Sequence, residues 1–230
     1  MKDRHLLITG GTGGLGVAVS RAALARGARV TVPYVDETEL GRLDDLDADA
    51  RGRLTFVEAD LSNEDDVERV VGQMDGLDAL VHLVGGFTMG ATHEVTLEAW
   101  RAHHDLTLTT TFLCCKYALR RMRAAGYGRI VTIGSKAADV PMGQMAAYSA
   151  AKAGVVALTK VIAEEHKGTN ITANCVMPSV IDTAANRAAM GDEHAEEWVT
   201  PGSLAGPILF LASEAAADLR GAAVPVYGNV

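Results

Sequence analysis

Short runs of apolar residues alternate along the chain with longer stretches in which apolar residues recur every three or four positions. The short runs predict β-strands, and the longer stretches predict amphipathic helices. The predicted strands are residues 5–9, 29–34, 54–58, 78–83, 128–133, 170–176 and 223–226. The predicted helices are residues 14–26, 38–46, 63–74, 96–124, 146–167 and 203–213. This alternation predicts the α/β fold class, with a doubly wound parallel sheet of about seven strands as the middle of three layers.

The pattern runs without a break from end to end. No repeat, low-complexity tract or linker rich in Pro or Ser interrupts it. Residues 1–230 are therefore expected to form a single domain. The only long stretch without either periodicity is residues 184–200, which contain an acidic segment and Trp198.

Composition excludes several classes of function. Hydrophobic residues make up 48% of the chain, enough for a sizeable core, and the net charge is −8. An acidic chain gains nothing from counterion release on a phosphate backbone, so nucleic-acid binding and docking on an anionic membrane surface are not expected. The three cysteines, Cys114, Cys115 and Cys175, are too few for a disulfide scaffold, and they are predicted to be reduced core thiols.

The N-terminus shows no charged start followed by a long apolar run and a cleavage site. No stretch is expected to reach the roughly 18 uncharged apolar residues of a membrane span. The protein is therefore expected to be cytoplasmic, with no membrane partner.

A glycine-rich loop follows the first predicted strand. Residues 9–16 read Thr-Gly-Gly-Thr-Gly-Gly-Leu-Gly and lead directly into the first predicted helix. Glycines let the backbone approach a ligand closely, and the N-terminus of a helix offers free N–H groups to a pyrophosphate. The alternative is a glycine-rich turn without a ligand. The lysine of a phosphate-binding Walker loop is absent, which disfavours a nucleotidase of that class.

Tyr148 and Lys152 lie four residues apart in a predicted helix and so share one face. An ammonium near a phenol stabilises the phenolate and lowers the pKa of the tyrosine. Ser135 lies just past the fifth predicted strand, at the edge where ligands bind in open parallel sheets. The alternative is a packed tyrosine with a solvated lysine.

Taken together, these segments resemble the short-chain dehydrogenase/reductase family. Residues 9–16 match its TGxxxGxG loop, and residues 148–152 match its YxxxK box with Ser135 thirteen residues upstream. Asp60 and Leu61 resemble the acidic turn that holds the adenine amino group. Residues 174–178 and the following Ile181 and Thr183 resemble the segment around the nicotinamide carboxamide. Residues 210–213 and 226–228 resemble the last helix and strand, so the resemblance covers essentially the whole chain.

The resemblance implies a Rossmann-like fold and hydride transfer between a nicotinamide dinucleotide and a carbonyl or alcohol. It implies three catalytic residues: Ser135 holds the substrate oxygen, Tyr148 is the general acid, and Lys152 lowers the pKa of the tyrosine and binds the nicotinamide ribose. The residues implied in cofactor binding are Gly10, Thr12, Gly14, Leu15, Gly16, Tyr34, Asp60, Leu61, Val84, Gly85, Lys152, Ile181 and Thr183.

The resemblance also bears on the substrate and on partners. Residues 184–200 follow the carboxamide segment and lack periodicity, so they are expected to form a short substrate lid over a modest, open pocket for a small molecule. Because the family pairs its two long helices, residues 97–124 and 146–167 are expected to build a homodimer or homotetramer. His82, His103 and His104 have no third ligand at suitable spacing, so no metal site is predicted.

Four segments depart from the family pattern, and two of them bear on the proton relay. The Asn-Asn-Ala-Gly after the fourth strand stands here as His-Leu-Val-Gly at residues 82–85, and Thr107 stands where the family has the asparagine of its proton relay. These changes leave two alternatives open. One is a dinucleotide-binding regulator with impaired catalysis, and the other is a reductase of a C=N or C=C bond, such as that of a pterin.

The end of the second predicted strand bears on the choice between NAD and NADP. Tyr34 occupies the usual acid position, Val35 the usual arginine position, and the loop position before the second motif glycine is Gly13. Asp36, twenty residues past Gly16, either turns inwards to the ribose or is a solvated acid that opens the next turn. Because no basic residue is found here, a 2′-phosphate would lack a positively charged partner, and NAD is predicted over NADP.

Overall fold

The computed structural model describes residues 1–230 and contains seven strands. The strands are β1 (His5–Thr9), β2 (Arg29–Tyr34), β3 (Leu54–Glu58), β4 (Ala79–His82), β5 (Gly128–Ile133), β6 (Ile171–Pro178) and β7 (Ala223–Val226). The helices are α1 (Gly16–Ala25), α2 (Ala48–Gly52), α3 (Glu64–Gln73), α4 (Leu97–His104), α5 (Thr110–Ala125), α6 (Lys136–Asp139), α7 (Ala146–Glu165), α8 (Ala184–Met190) and α9 (Pro201–Leu211). All strand pairs are parallel, in the order β3-β2-β1-β4-β5-β6-β7. The predicted doubly wound sheet is confirmed.

The central strands are buried on both faces. Every residue of β1, β4, β5 and β6 is buried, so apolar residues do not alternate with exposed polar ones along these strands. Successive side chains of a strand point to opposite faces. Leu6 and Ile8 pack in the core beneath α1 and α9, whereas Leu7 packs in the core beneath α3, α5 and α7. The sheet is therefore the middle of three layers.

The strand order reverses between β1 and β4, because the chain leaves the β3 edge and returns on the other side of β1. In open α/β sheets such a switch point creates a crevice at the carboxyl ends of the strands. The register places Thr9 beside His82, and His82 beside Thr132. The glycine loop, the end of β4 and the end of β5 therefore meet at one edge of the sheet.

The predicted helix at residues 96–124 is interrupted. A π-helical turn, Asp105–Thr109, separates α4 from α5. The hydroxyls of Thr110 and Thr111 donate to the carbonyl oxygens of Leu106 and Thr107, four residues earlier. Such bonds compete with the backbone hydrogen bonds of the helix and bend it. The turn was not predicted from the sequence because the periodicity of apolar residues does not reveal a one-residue insertion in a helix.

Two other predictions of local structure are wrong. Residues 38–46 form no regular helix; they lie in a 3-10 helix, Glu37–Leu43, and a connection to α2. Residues 184–200 are not irregular, since they contain α8 and a 3-10 turn, Ala195–Glu197. Thr183 caps α8 by accepting a hydrogen bond from the amide of Asn186 at 3.2 Å.

One helix is long and apolar enough to cross a membrane by length and composition, although Lys152 and Lys160 keep it from being an uncharged stretch. This helix, α7, has 20 residues and a mean hydropathy of 1.2 over its most apolar window. Its hydropathy has a local explanation, because Val155, Ile162 and Ala163 are buried in the interior. The face of α7 that packs on the sheet therefore accounts for much of its apolar character.

Candidate active site

The glycine loop forms a tight cradle ahead of α1. Gly10 has a positive φ of 64°, a conformation that favours glycine. A Cβ on Gly16 would lie only 1.9 Å from the carbonyl oxygen of Gly10, and a Cβ on Gly14 would lie 2.8 Å from the Thr183 side chain. No side chain caps the N-terminus of α1. The loop therefore presents backbone N–H groups in a space that any larger residue would close, which suits an anionic group such as a pyrophosphate.

A cleft of about 570 Å³ runs from this loop along the carboxyl edge of the sheet. It brings together every residue that the family resemblance implies in cofactor binding except Lys152. Those lining it are Gly10, Thr12, Gly14, Leu15, Gly16, Tyr34, Asp60, Leu61, Val84, Gly85, Ile181 and Thr183. The residues come from the ends of β1, β2, β3, β4 and β6, so only the parallel topology unites them.

Lys152 joins this cleft at Gly85. A Cβ on Gly85 would lie 3.3 Å from Nζ of Lys152. Because Gly85 has no side chain, the amine of Lys152 lies next to the cleft. Nζ donates a hydrogen bond to the carbonyl oxygen of Ile133 at 2.9 Å. Burial disfavours the charged amine and lowers the pKa of Lys152 to about 8.

Ser135 and Tyr148 lie together beyond the end of β5. Ser135 caps α6, with its Oγ accepting a hydrogen bond from the amide of Ala137 at 3.1 Å. The ring of Phe87 packs edge-on against Tyr148 with 5.1 Å between centroids. Burial raises the pKa of the Tyr148 phenol, and Ser135 acts in the opposite direction.

Burial, rather than Lys152, is the largest influence on the pKa of Tyr148 in this structure. The amine of Lys152 donates to the Ile133 carbonyl oxygen, and burial is the largest influence on both side chains. Sequence spacing places the two residues on one face of α7 but does not give the direction in which the amine points. At neutral pH the phenol therefore holds its proton.

His82, which departs from the family pattern, is a buried hydrogen-bonded link. Its Nδ1 lies 3.0 Å from the Thr9 hydroxyl, and its Nε2 lies 3.3 Å from the Thr110 hydroxyl. Burial, followed by the charge of Lys152, lowers the pKa of His82 to about 3. The neutral imidazole therefore ties the ends of β1 and β4 to α5.

Thr107 and His103 lie on the inner face of the helices beside the Tyr148–Lys152 face. The hydroxyl of Thr107 is buried without a hydrogen-bond partner, and so is Nε2 of His103. The His103 ring is tilted against the ring of Tyr148, with 5.9 Å between centroids. His104 instead donates from Nδ1 to the Trp100 carbonyl oxygen at 3.0 Å. The contact of His103 with Tyr148 was not predicted from the sequence.

The cleft also contains an acidic residue that sequence reasoning missed. Glu39, on the 3-10 helix, lines the cleft near Thr12 and Tyr34. Arg42, on the same helix, donates to the Thr12 carbonyl oxygen at 3.0 Å, so the expectation that no basic residue reaches this region is wrong. Asp36 accepts hydrogen bonds from the amide and hydroxyl of Thr38 and is exposed, so it opens the turn and does not face the cleft.

Known proteins match this arrangement over the whole chain. A family model described as short chain dehydrogenase matches residues 4–194. The cis-4-hydroxycyclohexanecarboxylate dehydrogenase of Sinomonas cyclohexanicum is 35% identical, over 99% of this chain and 96% of that protein. A short-chain type dehydrogenase/reductase from Mycobacterium ulcerans superposes with a TM-score of 0.91 at 29% identity, covering 100% of this chain and 90% of the other. Actinorhodin polyketide ketoreductase with NADPH gives 0.89 at 28% identity, covering 99% and 98%.

Proposed function

The chain belongs to the short-chain dehydrogenase/reductase family, and from that premise we propose that Ser135, Tyr148 and Lys152 form its catalytic site. The protein is an NAD(P)-dependent oxidoreductase that acts on alcohol or carbonyl substrates. An impaired regulator and a reductase of C=N or C=C bonds are not favoured, because the matching relatives are named as dehydrogenases and reductases. We further propose a small carbonyl or alcohol compound as the substrate.

The glycine cradle and the cleft fit a nicotinamide dinucleotide. The loop at Gly10, Gly14 and Gly16 admits backbone N–H contacts that a Cβ would block, which suits the pyrophosphate. Tyr34 and Asp60 line the cleft near the second and third strands, and Ile181 and Thr183 line its other side. When bound, the dinucleotide supplies or accepts the hydride.

Tyr148 is the proposed proton donor to the substrate oxygen. Burial raises the pKa of its phenol, so the proton is in place at neutral pH for reduction of a carbonyl. Ser135 is held by the amide of Ala137, which uses an acceptor position of the hydroxyl, and its proton is proposed to turn to the same substrate oxygen when substrate binds. In this proposal a neutral acid, Tyr148, and a neutral donor, Ser135, serve the same substrate oxygen.

Lys152 is the proposed link between proton transfer and cofactor binding. The observation that carries the proposal is the position of its amine, against Gly85 in the cleft and on the same helix face as Tyr148. With one hydrogen bond to the Ile133 carbonyl oxygen, the amine keeps further protons for a cofactor hydroxyl. A pKa of about 8 lets Lys152 give up and regain a proton near physiological pH.

Three further proposals concern the surroundings of the site. Residues 184–200, now seen to contain α8, are proposed as the substrate lid because Thr183 and Asn186 line the cleft where this segment begins. NAD is proposed as the preferred cofactor, since an acidic residue, Glu39, lines the cleft near Tyr34. The cytoplasm is proposed as the site of action.

We also propose that the protein forms a homodimer or homotetramer through α5 and α7. A groove of about 520 Å³ lies between these helices. Phe112 and Val161 line it and are 48% and 51% exposed. A second copy would cover these apolar side chains, and size-exclusion chromatography with light scattering measures the oligomeric state directly.

Cofactor oxidation with a panel of ketones, quinones and pterins tests the activity. We expect turnover of at least one ketone with NADH. Binding of NADH, measured by fluorescence titration, without turnover across the panel would contradict the catalytic proposal. Turnover confined to pterins would instead favour the C=N alternative.

A further inference from the structure

The 3-10 helix after β2 carries a pair of opposite charges to the glycine loop. The Thr12 hydroxyl donates to Oε2 of Glu39 at 2.8 Å, and Nη1 of Arg42 donates to Oε1 of Glu39 at 2.9 Å. The same guanidinium nitrogen donates to the Thr12 carbonyl oxygen. Arg21, on α1, donates to the Arg42 carbonyl oxygen at 2.8 Å and so fixes this helix to the body of the protein. Glu39, which lines the cleft, is therefore held in place by Thr12 and Arg42.

We propose that Glu39 is the residue that selects NAD over NADP. It does so in two ways: its carboxylate accepts a hydrogen bond from the adenosine 2′-hydroxyl, and it neutralises the charge of Arg42. This inference rests on the proposed function, and it names the side chain that determines the cofactor preference. The usual acid position, at the end of β2, holds Tyr34, so the acid is supplied here by the next element of the chain.

The carboxylate of Glu39 has the capacity for a further hydrogen bond. Each of its oxygens accepts one bond within the protein, from Thr12 or from Arg42, and a carboxylate oxygen can accept two. A ribose 2′-hydroxyl can donate to a remaining lone pair without breaking either bond. Selection by an acid near the ribose follows, as in other dinucleotide sites.

A 2′-phosphate meets the opposite conditions. It has no proton to donate when fully ionised, and its charge of about −2 repels the carboxylate. The cationic side chain of Arg42 would attract the phosphate, but it already forms a salt bridge with Glu39. Removing the charge of Glu39 would therefore remove a repulsion and release an attraction in a single substitution.

Neighbouring acids do not offer the same explanation. Oδ1 of Asp36 accepts hydrogen bonds from the amide and the hydroxyl of Thr38, and Asp36 does not line the cleft. Glu37 is exposed and is also absent from the cleft lining. Glu37 therefore provides a matched control, since Glu37→Gln makes the same charge change on the same 3-10 helix.

The test is a fluorescence titration of the full chain with NADH and with NADPH, without substrate. The variants are Glu39→Gln, Glu39→Gln with Arg42→Gln, and the control Glu37→Gln. We expect Glu39→Gln to lower the ratio of the Kd for NADPH to the Kd for NADH by at least about tenfold, since like-charge repulsion is lost. The control is expected to change this ratio less than about twofold, because Glu37 is exposed to screening by salt and does not line the cleft. In the double variant the Arg42 cation is also lost, so NADPH is expected to bind more weakly than it does to Glu39→Gln.

The outcomes separate the inference from the proposed NAD preference. The ratio in the unsubstituted protein tests the preference, whereas the change on substitution tests Glu39. An unchanged ratio in Glu39→Gln overturns the role of Glu39, and equal NADPH affinity in the single and double variants overturns the role of Arg42. Melting without cofactor shows whether each variant is folded, and Glu39→Thr provides a second uncharged side chain should the glutamine variant fail to fold.

Discussion

The two ends of the site differ in how deeply their functional groups are buried. At the adenosine end, the glycine loop contributes backbone, and Glu39 and Arg42 have side chains that are 33% and 50% exposed. At the proton-transfer end, Lys152 is only 7% exposed and its pKa is lowered by burial. Exposed charges are screened and act mainly on what binds, whereas buried groups change their proton affinity. Substitutions at the first end should therefore change Kd, and those at the second should change kcat and pH dependence.

The largest effect is expected at Tyr148. Tyr148→Phe keeps the ring against Phe87 but removes the hydroxyl. We expect kcat to fall by at least about 10²-fold, the scale of general acid catalysis, while the Kd for the cofactor stays within about twofold. Steady-state kinetics and a cofactor titration measure both quantities. Tyr127→Phe is the control, because Tyr127 lies against Arg4 and Arg129, outside the site. A Tyr148→Phe enzyme that keeps most of its kcat would contradict the proton-donor role.

The reverse pattern is expected in the glycine loop. Gly16→Ala places a Cβ within 1.9 Å of the Gly10 carbonyl oxygen, so the loop must open. We expect the Kd for the cofactor to rise by at least about tenfold, from loss of oriented N–H contacts, while kcat at saturating cofactor changes little. The control is Gly72→Ala in α3, where a Cβ meets nothing within 4 Å and alanine should stabilise the helix by about 0.5–1 kcal/mol. Unchanged cofactor affinity in Gly16→Ala would remove the distinction between the two ends.

A smaller effect is expected in the pH dependence of stability. The pKa of Lys152 is about 8 in the folded protein, below its ordinary value of 10.5, so between these values the unfolded chain binds more protons. Lys152 therefore adds to the free energy of unfolding as pH rises through this window. Lys152→Met removes that contribution, so its melting temperature relative to the unsubstituted protein should fall by about 2–4 °C or more from pH 7 to pH 10.

The measurement is thermal melting of both cofactor-free proteins at several pH values. A loss that is equal at every pH shifts the whole curve of the variant, whereas a change of slope above about pH 8 reports the protonation of Lys152. Parallel curves for the two proteins would show that Lys152 keeps its ordinary pKa.

The sequence predicts the parts of this site that depend on strand ends and helix faces. The glycine loop, Ser135 and the Tyr148–Lys152 pair all follow from where apolar runs stop and from a spacing of four residues. Parallel topology then brings them to one edge of the sheet, which the alternation of elements also predicts. The family resemblance supplied the individual cofactor residues, which composition and periodicity do not identify.

The sequence does not predict features that depend on a single inserted residue or on surface geometry. The π-helical turn Asp105–Thr109 alters which side chains face inwards after it, and apolar periodicity is too coarse to detect it. The 3-10 helix brings Glu39 and Arg42 to Thr12 across 27 and 30 residues of sequence, respectively, through contacts that no local pattern contains. Likewise, the direction in which the Lys152 amine points is decided by the Ile133 carbonyl oxygen, a contact that the spacing of Tyr148 and Lys152 does not contain.

The link through His82 has a consequence for how this sequence can drift over evolutionary time. Each ring nitrogen of the buried His82 has one threonine as its partner, so replacing Thr9 or Thr110 leaves a buried polar atom of His82 without a hydrogen bond. Residues coupled in this way are not mutationally independent. The three positions should therefore be exchanged as a set, and a library that varies them singly would sample mostly defective chains.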